Sequence, residues 1–311
     1  MRAAQSLQGL SCGDAFGERF FVPREIARGL IAQRILPSSP WPYTDDTAMA
    51  IAITEVLEEH GEIHQESLAA NFGNRFLADP RRGYGLAMHS LLPGFASTPS
   101  SWKQRSQALF GGAGSFGNGA AMRVAPLGAY FADDFPTLIT QAERSAVITH
   151  SHLEGVAGAI AVALAAGLAW THRSCPIEPQ DFLGRLCEQT PMSEVHLGIV
   201  KALTLHDDAS AESAAADLGN GSRISAQDTV PFALWAAASS LYDFQNALWK
   251  TVSGLGDRDT ICAIVGGIVA MSAGIENIPQ PWIEARESIP AWFADPRLSP
   301  ALAPHPAHLQ Q

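Results

Sequence analysis

Positive charge is scarce in this chain: 20 Lys and Arg stand against 31 Asp and Glu, a formal net charge of −11. Holding a nucleic-acid backbone takes a clustered excess of basic residues, so that class of partner is disfavoured. An acidic protein that handles an anionic ligand must meet it with metal ions or backbone N–H groups. Cysteine is scarce too. Cys12, Cys175, Cys187 and Cys262 lie far apart with no C-x-x-C spacing, which argues against a zinc site or a disulfide framework and for a reducing, cytoplasmic setting. No apolar stretch follows the opening Met1-Arg2-Ala3-Ala4-Gln5-Ser6, so no signal peptide is expected. Nor is a membrane span or a membrane partner. The most apolar run, Val156 to Trp170, is glycine-interrupted and shorter than the roughly 20 residues a bilayer needs, and it reads as a buried helix.

Period-2 alternation and β-branched clusters are also missing, while long Ala/Leu/Ile-rich stretches recur. The pattern predicts an all-α protein; the length allows one large domain or two, and no shift in composition divides 1–294, which is taken as a single-domain multi-helix unit followed by a proline-rich, loosely ordered tail over 295–311. Residues 46–59 place Met49, Ile53, Val56 and Leu57 on one stripe, with Glu55, Glu58 and Glu59 turned elsewhere. Further helices are predicted at 64–78, 137–148, 152–171, 193–205, 210–218, 230–250, 258–274 and 280–288. Pro231 falls just inside the start of one of them, where proline is tolerated. Breakers at 37–42, 92–101 and 111–119 mark loops.

Two helix starts carry the same acidic signature. Thr44-Asp45-Asp46-Thr47 precedes Ala48-Met49-Ala50-Ile51, and Asp257-Arg258-Asp259-Thr260 precedes Ile261-Cys262-Ala263-Ile264. Asp and Thr are good N-caps, and either cluster alone is accounted for by capping. One cap per helix suffices, however, and each cluster brings two carboxylates and hydroxyls. Were the two starts to converge, four carboxylates would crowd together, a repulsion relieved by protonation or by cations. Oxygen-only ligands suit a hard ion such as Mg²⁺, Mn²⁺ or Ca²⁺ rather than Zn²⁺. On the residues alone, capping and metal binding stand side by side.

Between these turns lies Phe110-Gly111-Gly112-Ala113-Gly114-Ser115-Phe116-Gly117-Asn118-Gly119, leading into an apolar helix expected near Ala120-Ala121-Met122. Glycines permit close ligand approach, and N–H groups at a helix start can bind phosphate. The segment is neither a Walker loop nor a GxGxxG turn after a strand, and as an isolated pattern it is simply a turn. In Thr149-His150-Ser151-His152 the two histidines are spaced for capping or burial rather than for one metal. Asp14 and Glu18 stand out by position: the first suits capping or a buried amide, the second solvent.

Taken in order, five segments resemble the ADP-ribosylglycohydrolase family: Gly9-Leu10-Ser11-Cys12-Gly13-Asp14-Ala15-Phe16-Gly17, Thr44-Asp45-Asp46-Thr47, Gly114-Ser115-Phe116-Gly117-Asn118-Gly119-Ala120-Ala121-Met122-Arg123, Thr149-His150 and Gly256-Asp257-Arg258-Asp259-Thr260. The resemblance implies a compact all-α bundle with two Mg²⁺ ions, or Mn²⁺ in their place, at the bottom of an ADP-ribose cleft. It implies metal ligation by Thr44, Asp45, Asp46, Asp257, Asp259 and Thr260. It also implies that Gly114, Ser115, Phe116, Gly117, Asn118 and Gly119 wrap the diphosphate and distal ribose, with Phe110 and His150 on the adenosine side. The reaction would be hydrolysis of the bond from ADP-ribose to an acceptor on a protein or small molecule, with Asp45, Asp46 or Glu18 taking the proton of a metal-bound water.

Two departures bear on that chemistry. Phe21 stands where several relatives carry a glutamate seven residues after the aspartate matching Asp14, leaving Glu18 as the nearest acid. Arg258 replaces a small or polar residue between the last two aspartates, free to reach a substrate anion or solvent. A catalytically inactive ADP-ribose binder and a metal-dependent nucleotide phosphohydrolase are the competing readings.

Overall fold

The computed structural model describes residues 2–206 and 208–291; the expected tail at 295–311 lies outside the described residues. Among them the chain forms sixteen α-helices and no strand, its extended pairing limited to two isolated bridges, Trp41 with Arg286 and Gly117 with Ser225. In order these are α1 (Arg2–Glu18), α2 (Arg24–Ala32), α3 (Asp45–His60), α4 (Gln65–Ala78), α5 (Met88–Ser97), α6 (Trp102–Ala108), α7 (Ala125–Tyr130) and α8 (Phe135–Ala146). Then come α9 (Leu153–Thr171), α10 (Pro179–Gln189), α11 (Glu194–Leu203), α12 (Ala211–Leu218), α13 (Ala226–Ala238), α14 (Phe244–Ser253), α15 (Arg258–Ala273) and α16 (Gln280–Ala285).

The centre is built on a seam of small residues. Gly9, Gly13 and Gly17, four apart, line one face of α1, and a methyl group on Gly13 would sit 2.0 Å from the Cys262 carbonyl oxygen of α15. At Gly9 and Gly17 the same atom would lie 2.3 Å from the carbonyls of Gly266 and Arg258. The two backbones therefore touch, and the contact brings Asp14 and Glu18 of α1 beside the start of α15. Helix α9 crosses behind them, buried over nearly its whole length. It is long and apolar enough to cross a membrane, but 83% of its apolar window is buried inside the protein, as in a core helix.

An aromatic cluster fastens the segment leading to α3. Phe16 stacks on Trp282 of α16 with centroids 4.5 Å apart and meets Trp249 of α14 edge-on at 5.0 Å, while Trp41 packs against both Phe16 and Trp282. Trp41 also exchanges backbone hydrogen bonds with the chain after α16: its N–H donates to Ala285 O at 2.7 Å and its carbonyl accepts from Glu287 N at 2.8 Å.

Several expected boundaries move. The span 230–250 is two helices, because Asp243 caps α14 by accepting from Asn246 N at 2.9 Å and so starts a new helix after the turn at 239–243. Pro231 lies inside α13, not at its start, with its ring against Gly198 of α11. The breaker-rich 92–101 is largely helix, with Pro93 inside α5 and a 3₁₀ turn at Pro99–Ser101. No α-helix starts at Ala120; a three-residue 3₁₀ turn, Asn118–Ala120, is followed by a turn, and α7 begins only at Ala125.

Candidate active site

Neither acidic turn spends its carboxylates on capping. Thr44, the N-cap of α3, makes no side-chain capping bond; the free N–H groups of that helix are met instead by Asp14, thirty residues earlier in sequence. Asp14 Oδ2 accepts from Thr44 N at 3.0 Å, Thr47 N at 3.1 Å and Thr47 Oγ1 at 2.5 Å. Thr44 Oγ1 lies 2.9 Å from Asp14 Oδ1 and 2.8 Å from Asp46 Oδ2, its one proton serving two carboxylates. Asp46 Oδ1 is buried with no hydrogen-bond partner. The loop after α4 covers this turn, since Arg82 O accepts from Asp45 N at 2.7 Å and Gly83 packs against Asp45 Oδ1.

The second turn is set by two consecutive left-handed residues, Leu255 at φ 58° and Gly256 at φ 67°. A side chain at Gly256 would lie 2.0 Å from Asn220 O, and that same carbonyl accepts from Asp257 N at 2.9 Å. Only glycine fits such an approach at such an angle. Asp257 makes no side-chain cap for α15. Its Oδ2 accepts from Asn118 Nδ2 at 2.7 Å, and it shares a carboxyl–carboxylate hydrogen bond with Asp259. Asp259 Oδ1 is buried without a partner.

The two turns meet. Burial first, then the charges of Asp259, Asp14 and Asp257, hold the Asp45 carboxyl well above the ordinary range. Asp46 is raised in the same way by burial and by Asp14, Asp259, Asp45 and Asp257. Burial and Asp259 push Asp257 up to about 8, and Asp14 rises to about 7 by burial, against the hydrogen bonds from Thr47 and Thr44 and with Asp259 adding repulsion. Among the described residues no three His, Cys, Asp or Glu are closed into a set that could hold an ion as they stand. The donor set nevertheless suits a hard cation, because two buried carboxylate oxygens of the cluster, Asp46 Oδ1 and Asp259 Oδ1, have no proton donor among the described residues to satisfy them.

Glu18 ends α1 half-buried beside Asp259, and burial with that neighbour's charge pushes its carboxyl up to about 7. Arg258 is half-buried: it donates to the Phe20 carbonyl and lies over the Phe21 ring, its Cζ 5.1 Å from the centroid. The departure at Phe21 and the departure at Arg258 are thus one contact.

The glycine loop lies against the second turn through Asn118, whose Nδ2 donates to Thr229 Oγ1 at 3.0 Å as well as to Asp257. Ser115 is buried and its Oγ accepts from Gly117 N at 3.2 Å; Ala226 N donates to Phe116 O at 3.0 Å. Phe110 and Phe116 are exposed, 61% and 44%, with ring centroids 6.3 Å apart, and His152 meets Phe116 edge-on at 5.7 Å. Together they form an open aromatic shelf. Phe110 holds a left-handed φ of 53°, an angle that bulky residues rarely adopt and that functional loops retain. Gly114, at φ 75°, packs on Ser151 and His152. His150 is buried beneath the loop, its Nε2 directed at Gly117 and Gly119, where a methyl group on either would lie 3.1 Å from it.

Sequence reasoning missed the organising role of Asp14, the cover supplied by Arg82 and Gly83, and Arg123, a fully buried cation behind Asp45. Arg123 could have been noticed as the one charge in Ala120-Ala121-Met122-Arg123-Val124-Ala125. Asp14 stands out by position and suits capping or a buried amide, but which N–H groups it meets is set only by folding.

Comparison with known proteins gives a consistent set of relatives. The ADP-ribosylglycohydrolase family profile matches residues 1–304. The ADP-ribosylhydrolase ARH3 of Xenopus tropicalis is 30% identical over 275 residues, covering 77% of this chain and 76% of its own. The human ADP-ribosylhydrolase ARH3 is 30% identical over 276 residues, covering 79% and 74%. A protein of Archaeoglobus fulgidus is 30% identical over 297 residues, covering 89% and 88%. A solved structure described as an ADP-ribosylglycohydrolase-related protein complex superposes with a TM-score of 0.59 at 23% identity, over 92% of both chains, and bears on the fold alone.

Proposed function

Since the chain belongs to the ADP-ribosylglycohydrolase family, we propose that it hydrolyses the glycosidic bond between ADP-ribose and an acceptor, using two Mg²⁺ ions or Mn²⁺ held by Thr44, Asp45, Asp46, Asp257, Asp259 and Thr260. The observation that carries this reading is the meeting of two remote acidic turns around buried, unpartnered carboxylate oxygens. Bound there, divalent ions would supply a Lewis acid for the ribose hydroxyls and lower the pKa of a water.

The chain's own groups divide the remaining work. Cleavage at the anomeric carbon passes through an oxocarbenium-like state that needs a proton donor to the leaving group and a base for water. Glu18, pushed up to about 7 by burial and the Asp259 charge, exchanges a proton readily near neutral pH and can act as donor or acceptor; Asp45 and Asp46 are the other candidate bases. Phe110 offers an apolar face on the adenosine side, with His150 directed at the loop from beneath, and Gly114, Ser115, Phe116, Gly117, Asn118 and Gly119 form the loop that would hold the diphosphate and ribose.

The test is release of free ADP-ribose from ADP-ribosylated arginine, serine and small-molecule substrates with Mg²⁺ or Mn²⁺. Chelation is expected to abolish release reversibly, and Asp45→Ala or Asp259→Ala to abolish it with the circular-dichroism spectrum retained. Full activity in excess chelator would remove the metal mechanism. Release of AMP or phosphate would mark a phosphohydrolase, and tight ADP-ribose binding without turnover an inactive binder.

A further inference from the structure

Arg123 is a fully buried cation with no carboxylate among its hydrogen-bond partners. Its Nη2 donates to Thr149 Oγ1 at 2.8 Å and to Ser145 O at 3.3 Å, its Nη1 approaches Met49 Sδ at 3.6 Å, and its Cζ lies 4.3 Å from the centre of the Phe72 ring. Burying a charge among neutral partners is unfavourable by several kcal/mol in general, so the residue calls for a reason beyond packing. Nearby Asp45 offsets part of that penalty but does not explain the contact with Thr149.

That contact decides where a proton sits two residues away. A guanidinium only donates, so Thr149 Oγ1 accepts from Arg123; its second lone pair could accept from His150 as well, but its own buried proton would then be left without an acceptor, which is the costlier arrangement. Among the described residues, the acceptor within reach is His150 Nδ1, at 2.7 Å. A neutral imidazole that accepts at Nδ1 carries its hydrogen on Nε2. Burial and the Arg123 charge hold His150 down to about 3, which excludes the doubly protonated ring. Among the described residues no hydrogen bond is made by Nε2, which faces the glycine loop between Gly117 and Gly119.

We propose that Arg123 and Thr149 are positioning residues that lock His150 as an Nε2–H donor aimed through the glycine loop at an oxygen of the bound ligand. The proposal rests on the ADP-ribose reading for the identity of that ligand, though not for the tautomer. The lock matters because the opposite tautomer would present a lone pair to a phosphoryl or hydroxyl oxygen, replacing a hydrogen bond by repulsion. A neutral donor in place of Arg123, such as a serine, could reverse its own hydrogen bond and let Thr149 turn; arginine cannot.

The experiment is a long-range ¹⁵N–¹H correlation spectrum of the His150 ring at neutral pH, together with calorimetric titration of ADP-ribose in Mg²⁺, for the full chain and for Thr149→Val and Thr149→Ser. Thr149→Val keeps the Arg123 charge near Asp45 and removes the relay, leaving Arg123 Nη2 with Ser145 O as its acceptor. The Nε2–H pattern is expected in the parent and in Thr149→Ser. Thr149→Val should mix the tautomers and weaken ADP-ribose binding about tenfold, a loss of roughly 1.4 kcal/mol. An Nδ1–H ring in the parent, or a valine variant with unchanged tautomer and affinity, overturns the proposal. Should the parent fail to bind ADP-ribose at all, the ligand assignment fails, and the ring spectra alone decide the relay.

Discussion

At the scale of single residues, the site is a set of carboxylates that oppose one another's charge. Asp46→Asn keeps the side-chain shape and removes one carboxyl from the cluster, so in excess chelator it is expected to raise the thermal midpoint, by about 1–2 °C if roughly 1 kcal/mol of repulsion is relieved. Differential scanning calorimetry reads this directly, and a lower midpoint would contradict charge crowding. Glu18→Gln removes a transferable proton while preserving size, and turnover should fall by about 10²-fold or more with ADP-ribose affinity little changed; equal turnover would clear Glu18 of a role. The acids themselves were legible in the sequence, because Thr44-Asp45-Asp46 and Asp257-Arg258-Asp259 each exceed what one helix cap requires. That Asp14 takes over the capping and leaves Asp45 and Asp46 to the cluster was not, since its partners lie thirty residues on and nothing local marks them.

Among elements, the position of the site depends on how closely α1 and α15 approach. Gly13→Ala would place a methyl carbon 2.0 Å from the Cys262 carbonyl, a backbone atom that cannot swing aside, so the helices must separate and carry Asp14 and Glu18 away from Asp259. A loss of roughly 3 kcal/mol or more in urea unfolding is expected. Gly29→Ala in α2, where a methyl meets nothing within 4 Å, should be neutral or stabilising by about 0.5–1 kcal/mol. Equal effects at the two positions would refute the seam. Hydrophobic periodicity located most of the long helices, because it reports which face is buried. It overlooked α1 as a full helix and ran α13 into α14, because small-residue seams weaken the apolar signal and a capping aspartate such as Asp243 interrupts an apolar run without a glycine or proline.

The whole molecule links these scales through protons and divalent ions. Asp14 and Asp257, raised to about 7 and 8, and Asp45 and Asp46, raised by burial and mutual repulsion, ionise at higher pH in the folded chain than in the unfolded one. Between about pH 4 and pH 8 the native state therefore binds more protons, and stability must fall as pH rises through that window, by at most about 1.4 kcal/mol per pH unit for each extra proton. A divalent ion competes for the same oxygens and binds best when they are deprotonated, so its stabilising effect grows in the opposite direction. Thermal midpoints measured from pH 5 to pH 8 should decline in chelator, while the gap between chelator and millimolar Mg²⁺ should widen toward pH 8. General repulsion within a chain of net charge −11 also grows with pH, so Asp46→Asn serves as the control: it leaves most of that charge and should flatten both trends. A gap that stays constant, or a variant that follows the parent, would mean that the acidic turns do not act as one ion-binding unit.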